Sequence, residues 1–273
     1  MADLDLARRI VHRVDGMEDA VVRKGLVYTR DGSDELLMDV YAPSGRQPDT
    51  RTPAVVFVHG GPIPREMMAP REWGCFVSYG ELVAASGLVG IVFNHRLHAP
   101  TDYGTAESDM KAAIDYVRSH ADELGVDRDR LAVWVFSGGG PLAAWCLRER
   151  PAYLACLLAF YAILDVRHLL PANADPGLTA RAQAFSPAAH LTDSGAALPM
   201  LVARAGLDAP MVNTSIDAFV REALASNAPL DLLNHREGQH GFDILNDDPR
   251  SREIISRAVA FATAHLVSSA AGV

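Results

Sequence analysis

Short apolar, β-branched runs recur along this chain, and between them apolar residues repeat at helical spacing. Residues 55–59 (VVFVH) begin as a continuous apolar run, as expected of a strand covered on both faces. Residues 90–94 (GIVFN), 131–136 (LAVWVF), 155–161 (ACLLAFY) and 200–203 (MLVA) share that character, and 229–233 (PLDLL) is a weaker version. Residues 25–29 and 36–41 predict an antiparallel pair at one edge. Met110, Ala113, Ile114 and Val117 fall at i, i+3, i+4 and i+7, which predicts one face of a helix. Ile216, Phe219, Val220, Ala223 and Leu224 predict another. A last helix is expected to open with Asp248 as cap and Pro249 at its first position, burying Ile255, Ala258, Val259, Ala262 and Leu266. Strands alternating with helices imply an α/β fold, a mostly parallel sheet with helices on both faces. Ligands bind such sheets at the carboxyl ends of the strands.

The unusual residues stand at those ends. In residues 133–145 (VWVFSGGGPLAAW) a strand runs into Ser137, three glycines and a helical pattern. A serine hydroxyl becomes a useful nucleophile only when exposed, aimed and partnered by a base. A sharp strand-to-helix turn exposes it, and small neighbours such as Gly138 and Gly139 permit that turn. A plain flexible turn has the same composition. Residues 55–62 (VVFVHGGP) end a second strand in glycines, which let backbone N–H groups approach a ligand. Gly61 and Gly138 are the candidate oxyanion donors, with Gly60 in reserve; Pro62 has no N–H to offer. His59 reads as a structural residue that holds this loop.

Asp208 follows a third strand in residues 199–210 (PMLVARAGLDAP), and His240 lies in residues 237–243 (EGQHGFD) shortly before the final helix. Alone, such residues are ordinary turn and surface residues. Together they give Ser, Asp and His in that order, each after an expected strand.

On these motifs the chain resembles the α/β-hydrolase superfamily over nearly its whole length. Within it the chain looks like the esterase/lipase branch and its dienelactone-hydrolase and prolyl-oligopeptidase relatives. Residues 94–100 (NHRLHAP) are similar to a YRLAP-like segment of the hormone-sensitive-lipase group, and FSPAAHL followed by PMLVARAGLD resembles the approach to the acid residue. The resemblance implies a sheet of about eight strands, with Ser137 as nucleophile, Asp208 as acid and His240 as base. Two departures stand out. Val135 occupies the first glycine position of the G-x-S-x-G elbow, and HGGP replaces HGGG.

The surroundings are less legible. Ile63, Met67, Met68, Trp73 and Phe76 follow the glycine loop and read equally as an acyl pocket or as loop packing. Ile63, Met67, Met68 and Tyr161 are the candidate substrate contacts. Within residues 1–273, read as a single domain, residues 162–191 form either a small lid or a surface helix pair.

Charge and composition narrow the function. Lys and Arg number 25 against 34 Asp and Glu, for a net charge of −9, so nucleic-acid binding is not expected. Cys75, Cys146 and Cys156 form no CxxC pair or zinc spacing, so no metal is expected. The N-terminus lacks the apolar core of a signal peptide and no stretch is long enough to span a bilayer, so a cytoplasmic protein without membrane contact is the expectation. The Asn213-Thr214-Ser215 sequon is read as chance. The expected activity is hydrolysis of a small, short-chain carboxylic ester without a cofactor; the sequence leaves the oligomeric state open, with a homodimer through an edge strand or the last helix as one option. The alternatives are a peptidase or amidase, an acyltransferase, or a non-catalytic binding protein on the same fold.

Overall fold

The computed structural model describes residues 5–32, 34–47, 50–67, 69–191 and 198–267. In chain order the elements are β1 (Val21–Asp31), β2 (Asp34–Ala42), β3 (Thr52–Val58), α1 (Gly74–Ala85), β4 (Val89–Phe93), α2 (Tyr103–Ser119), α3 (Ala121–Leu124), β5 (Val126–Phe136), α4 (Ala143–Glu149), β6 (Leu154–Phe160), α5 (Pro176–Ala184), β7 (Met200–Ala205), α6 (Pro210–Ala225), β8 (Leu230–His235), α7 (Phe242–Leu245) and α8 (Pro249–Val267). The eight strands form one sheet in the order β1-β2-β4-β3-β5-β6-β7-β8. The β1–β2 and β2–β4 pairs are antiparallel and every other pair is parallel. The mostly parallel sheet with an antiparallel pair at one edge is therefore as expected.

Side-chain parity divides the core into two layers, because successive strand residues point to opposite faces. Val56, Val58, Val133 and Val135 join Met110, Ile114, Cys146, Ile216 and Phe219 on the face that carries α2, α4 and α6. Val55, Phe57, Trp134 and Phe136 join Phe76, Tyr79, Leu82, Ile255 and Leu266 on the face that carries α1 and α8. Burial on both sides explains why β3 shows no polar alternation: every one of its residues is buried. All three cysteines are free and buried. No helix among the described residues is long and apolar enough to cross a membrane.

One helical face needs correction. Leu224 is 71% exposed rather than part of the buried stripe of α6. The stripe is formed by Val212, Ile216, Phe219 and Ala223. At about 100° per residue, Leu224 stands roughly 110° from its centre, beyond what one packed face covers. Residues 162–191 fold as short helical turns around α5 and are tied to α6 by a buried hydroxyl. Ser215 Oγ accepts from the N–H groups of Leu164 and Asp165, both at 2.7 Å, and within the segment Ser186 Oγ accepts from Val166 N–H at 3.0 Å.

Val135 sits at the centre of the sheet, opposite Val58 of β3 and Ala159 of β6, with no exposed surface. Small Ala159, its cross-strand neighbour on β6, leaves room for its branched side chain. A Val135→Gly variant, which restores the elbow glycine, is expected to lose about 3 kcal/mol of unfolding free energy through lost packing and added backbone entropy. Urea denaturation measures it; an unchanged midpoint would contradict this packing.

Candidate active site

The site forms where β3, β5, β6, β7 and β8 end. Ser137 follows β5 directly and has φ of 50°, a left-handed backbone that non-glycine residues rarely adopt. The turn continues as a 3-10 segment, Ser137–Leu142, into α4. Its geometry is held from the turn after β6: the Ile163 N–H donates to the Ser137 carbonyl at 3.0 Å. Such strain persists only where the surroundings overdetermine it.

The space around the turn admits no side chains. A Cβ on Gly138 would lie 1.8 Å from the Gly61 carbonyl oxygen, and one on Gly139 would lie 2.4 Å from that of His59. A Cβ on Gly60 would lie 2.9 Å from the Ser137 Cβ. Gly60, Gly61 and Gly138, the three residues expected to surround an oxyanion, are thus brought together beside Ser137.

Asp208 and His240 arrive on two loops stitched to each other. Gly206 N–H donates to the His235 carbonyl and Leu207 N–H to that of Gly238, each at 2.8 Å. His240 Nδ1 lies 2.7 Å from Asp208 Oδ2, and His240 Nε2 lies 2.8 Å from Ser137 Oγ. A carboxylate only accepts, so Nδ1 carries the proton and Nε2 presents its lone pair to the serine hydroxyl. The Asp208 side chain is 2% exposed and also accepts from the Ala209 N–H, whereas His240 is 44% exposed. A shielded carboxylate thus fixes an imidazole that reaches the surface.

His59 and His95 form a second histidine pair beneath the glycine loop. Their rings stack at 3.5 Å with 4° between planes, and both are buried. His59 Nε2 accepts from the His95 N–H at 3.3 Å, so Nδ1 donates to the Gly60 carbonyl at 2.6 Å. His95 Nε2 donates to the His59 carbonyl at 3.1 Å, and its buried Nδ1 has no partner. His59 is the loop holder it was read to be. The NHRLHAP segment continues the clamp: the Ile63 N–H donates to Leu97 carbonyl, and His98 Nδ1 lies 2.8 Å from the Ile63 carbonyl. Arg96 grips buried Asp109 through Nε, Nη2 and its backbone N–H. A periodicity reading assigns Asp109 no role, because it sits between the helical core positions it serves.

The candidate substrate contacts fare differently. Ile63 and Met67 are half-buried in the loop after the glycines, and Met68 lies outside the described residues. Trp73 is half-buried and Phe76 buried, packed into the layer beneath. Tyr161 is 5% exposed and its hydroxyl donates to Asp243 Oδ1 at 2.8 Å, so that hydroxyl is not available to a substrate. Its ring instead lies 4.8 Å from that of His240. Asp243 went unread in the sequence because a buried carboxylate is announced only by its partners.

The stacked histidines make the fold acid-sensitive. Burial pushes His95 down to about 4 and pushes His59 well below the usual 6.5. The unfolded chain protonates both below about 6.5 and the folded chain does not, so stability held above that pH is lost as the pH falls toward 4. His95 alone contributes about 3 kcal/mol to that loss. Denaturation curves from pH 7 to 4.5 are expected to show a steep fall that His95→Gln makes shallower; parallel curves for the two proteins would contradict it.

Comparison with known proteins agrees with this architecture. Residues 38–147 match the BD-FAE family model, from β2 through the glycine loop to the Ser137 turn and α4. A stretch of 116 residues is 25% identical to Carboxylesterase 3 of Pongo abelii, covering 41% of this chain and 20% of that protein. The chain therefore matches about a fifth of the length of this curated relative. Among solved structures, the native form of the thermophilic esterase Est2 from the planctomycete Thermogutta terrifontis superposes with a TM-score of 0.73. It is 24% identical and covers 90% of this chain and 92% of its own. The propionate-bound form of that esterase gives 0.71 at 24% identity, covering 93% and 95%. With its eight-stranded, mostly parallel sheet, its helices on both faces and its serine turn after β5, the chain has the α/β-hydrolase fold.

Proposed function

We propose that this chain is a serine carboxylesterase that hydrolyses short-chain esters through an acyl-enzyme. The observation that carries the reading is the unbroken hydrogen-bonded chain from Asp208 through His240 to Ser137, set on a strained turn beside a side-chain-free glycine loop. In this mechanism His240 Nε2 takes the proton of Ser137 as Oγ attacks the acyl carbon. The tetrahedral oxyanion is held by the N–H groups of Gly61 and Gly138, with Gly60 adjoining. The imidazolium faces Asp208 across 2.7 Å, which stabilises its charge, and it returns the proton to the departing alcohol. Water, deprotonated by the same nitrogen, then releases the acid. Each step needs only groups of this chain and water.

The similarity to a carboxylesterase and to a bacterial esterase supports ester chemistry. The propionate-bound form of that esterase motivates the short acyl group. Hydrolysis of a p-nitrophenyl series from acetate to laurate is expected to favour the short members, and Ser137→Ala, checked as folded, is expected to lose about 10³-fold or more in kcat. Equal turnover of short and long chains would contradict the acyl size. Activity retained in the variant would remove Ser137 from the mechanism. Cleavage of proline-containing amides without ester turnover would make the protein an amidase.

A further inference from the structure

Three residues beyond His240, Asp243 lies in α7 with no exposed surface. An ionised carboxylate so placed is costly unless its oxygens find donors. Here both do. Tyr161 Oη donates to Oδ1 at 2.8 Å and Tyr79 Oη donates to Oδ2 at 2.6 Å. The two tyrosines come from opposite directions, Tyr79 from α1 and Tyr161 from the turn after β6. Two hydroxyls donating to two oxygens is the pattern that suits a carboxylate, since a carboxylic acid would have to turn one of them into an acceptor. The main chain is fixed too, because the Val11 N–H donates to the Asp243 carbonyl at 2.8 Å.

Tyr161 is unusual in its own right. Its φ of 38° is left-handed, its N–H donates to the Ala203 carbonyl, and it stands two residues before the Ile163 N–H that holds Ser137. With its backbone strained and its hydroxyl anchored, its ring has one resting place. That place is against His240, with ring centroids 4.8 Å apart and planes at 59°.

We infer that Asp243 is a positioning residue for His240: it pins the Tyr161 ring that supports the imidazole. This rests on the reading of His240 as general base. Asp208 would then bind one nitrogen of the ring, while Asp243 acts from below without touching it. Among the described residues, the titratable groups facing Asp243 are Cys75 and Tyr79 from α1, Tyr161 after β6, and His240; Asp208 faces Tyr161. Burial raises the carboxyl of Asp243 above its ordinary range, while the hydrogen bonds of both tyrosines and the charge of His240 oppose the rise. Burial pushes Cys75 up to about 12 and both tyrosines well above their usual value, so all three stay protonated at working pH.

The test is the kinetics of ester hydrolysis together with the NMR signals of the His240 imidazole, for wild type, Tyr161→Phe and Asp243→Asn. Tyr161→Phe keeps the ring and removes its anchor. It is expected to lower kcat about tenfold with little change in KM and to displace or broaden the His240 ring signals. Asp243→Asn, checked as folded, removes an acceptor for the tyrosine hydroxyls and is expected to change kcat and the ring signals in the same direction. Wild-type kcat and unchanged ring signals in folded Tyr161→Phe would overturn the inference, whether or not Asp243→Asn folds. Absence of ester turnover in the wild type would instead defeat the functional reading, and the ring signals would still report whether Tyr161 holds the imidazole.

Discussion

The backbone of residues 59–61 lies so close to that of residues 137–139 that no side chain fits between them. Two adjacent parallel strands, β3 and β5, deliver those segments to one point, and everything catalytic in the proposal depends on that approach. A methyl group on Gly138 would collide with the Gly61 carbonyl at 1.8 Å, so the two segments form one surface rather than two loops. Ser137 emerges from that surface in a backbone conformation that costs about 1–3 kcal/mol for such a residue. The sheet, buried on both faces through this region, holds it there.

Polar groups beneath the surface do the rest. The stacked His59 and His95 fix the carbonyls of the glycine loop from below, at the cost of a buried nitrogen without a partner. Asp39 and Arg71 pair at 2.9 Å almost out of solvent, and Arg71 N–H donates to Asn94 Oδ1, which ties the far end of the same loop to the NHRLHAP segment. On the other side, the Asp208 and His240 loops are joined by backbone hydrogen bonds and supported by Tyr161. Buried ion pairs of this kind add little net stability but fix geometry, because breaking one leaves a charge stranded.

How much of this was legible depended on whether a residue acts alone or through a partner. The central strands were readable because burial on both faces leaves unbroken apolar runs, and Ser137, Asp208 and His240 were readable because each follows an expected strand in a glycine-containing loop, with half-exposed β8 before His240 the weakest of them. Val135 looked like a fault in the elbow, yet Ala159, its cross-strand neighbour on β6, leaves room for it; a small residue far along the chain carries that information. Leu224 was misplaced because a helical face drawn too wide takes in one residue too many. Tyr161 is a candidate substrate contact in the sequence, but its hydroxyl belongs to Asp243. Asp109 and Asp243 were missed since nothing local distinguishes a buried carboxylate from a surface one.

The central claim is that Ser137 is a nucleophile made reactive by His240. Reaction with paraoxon, followed by intact mass and peptide mapping, tests it most directly. The account predicts one phosphoryl adduct per chain, located on Ser137, and its loss in a folded His240→Ala variant. An adduct elsewhere, or equal labelling without His240, would contradict it.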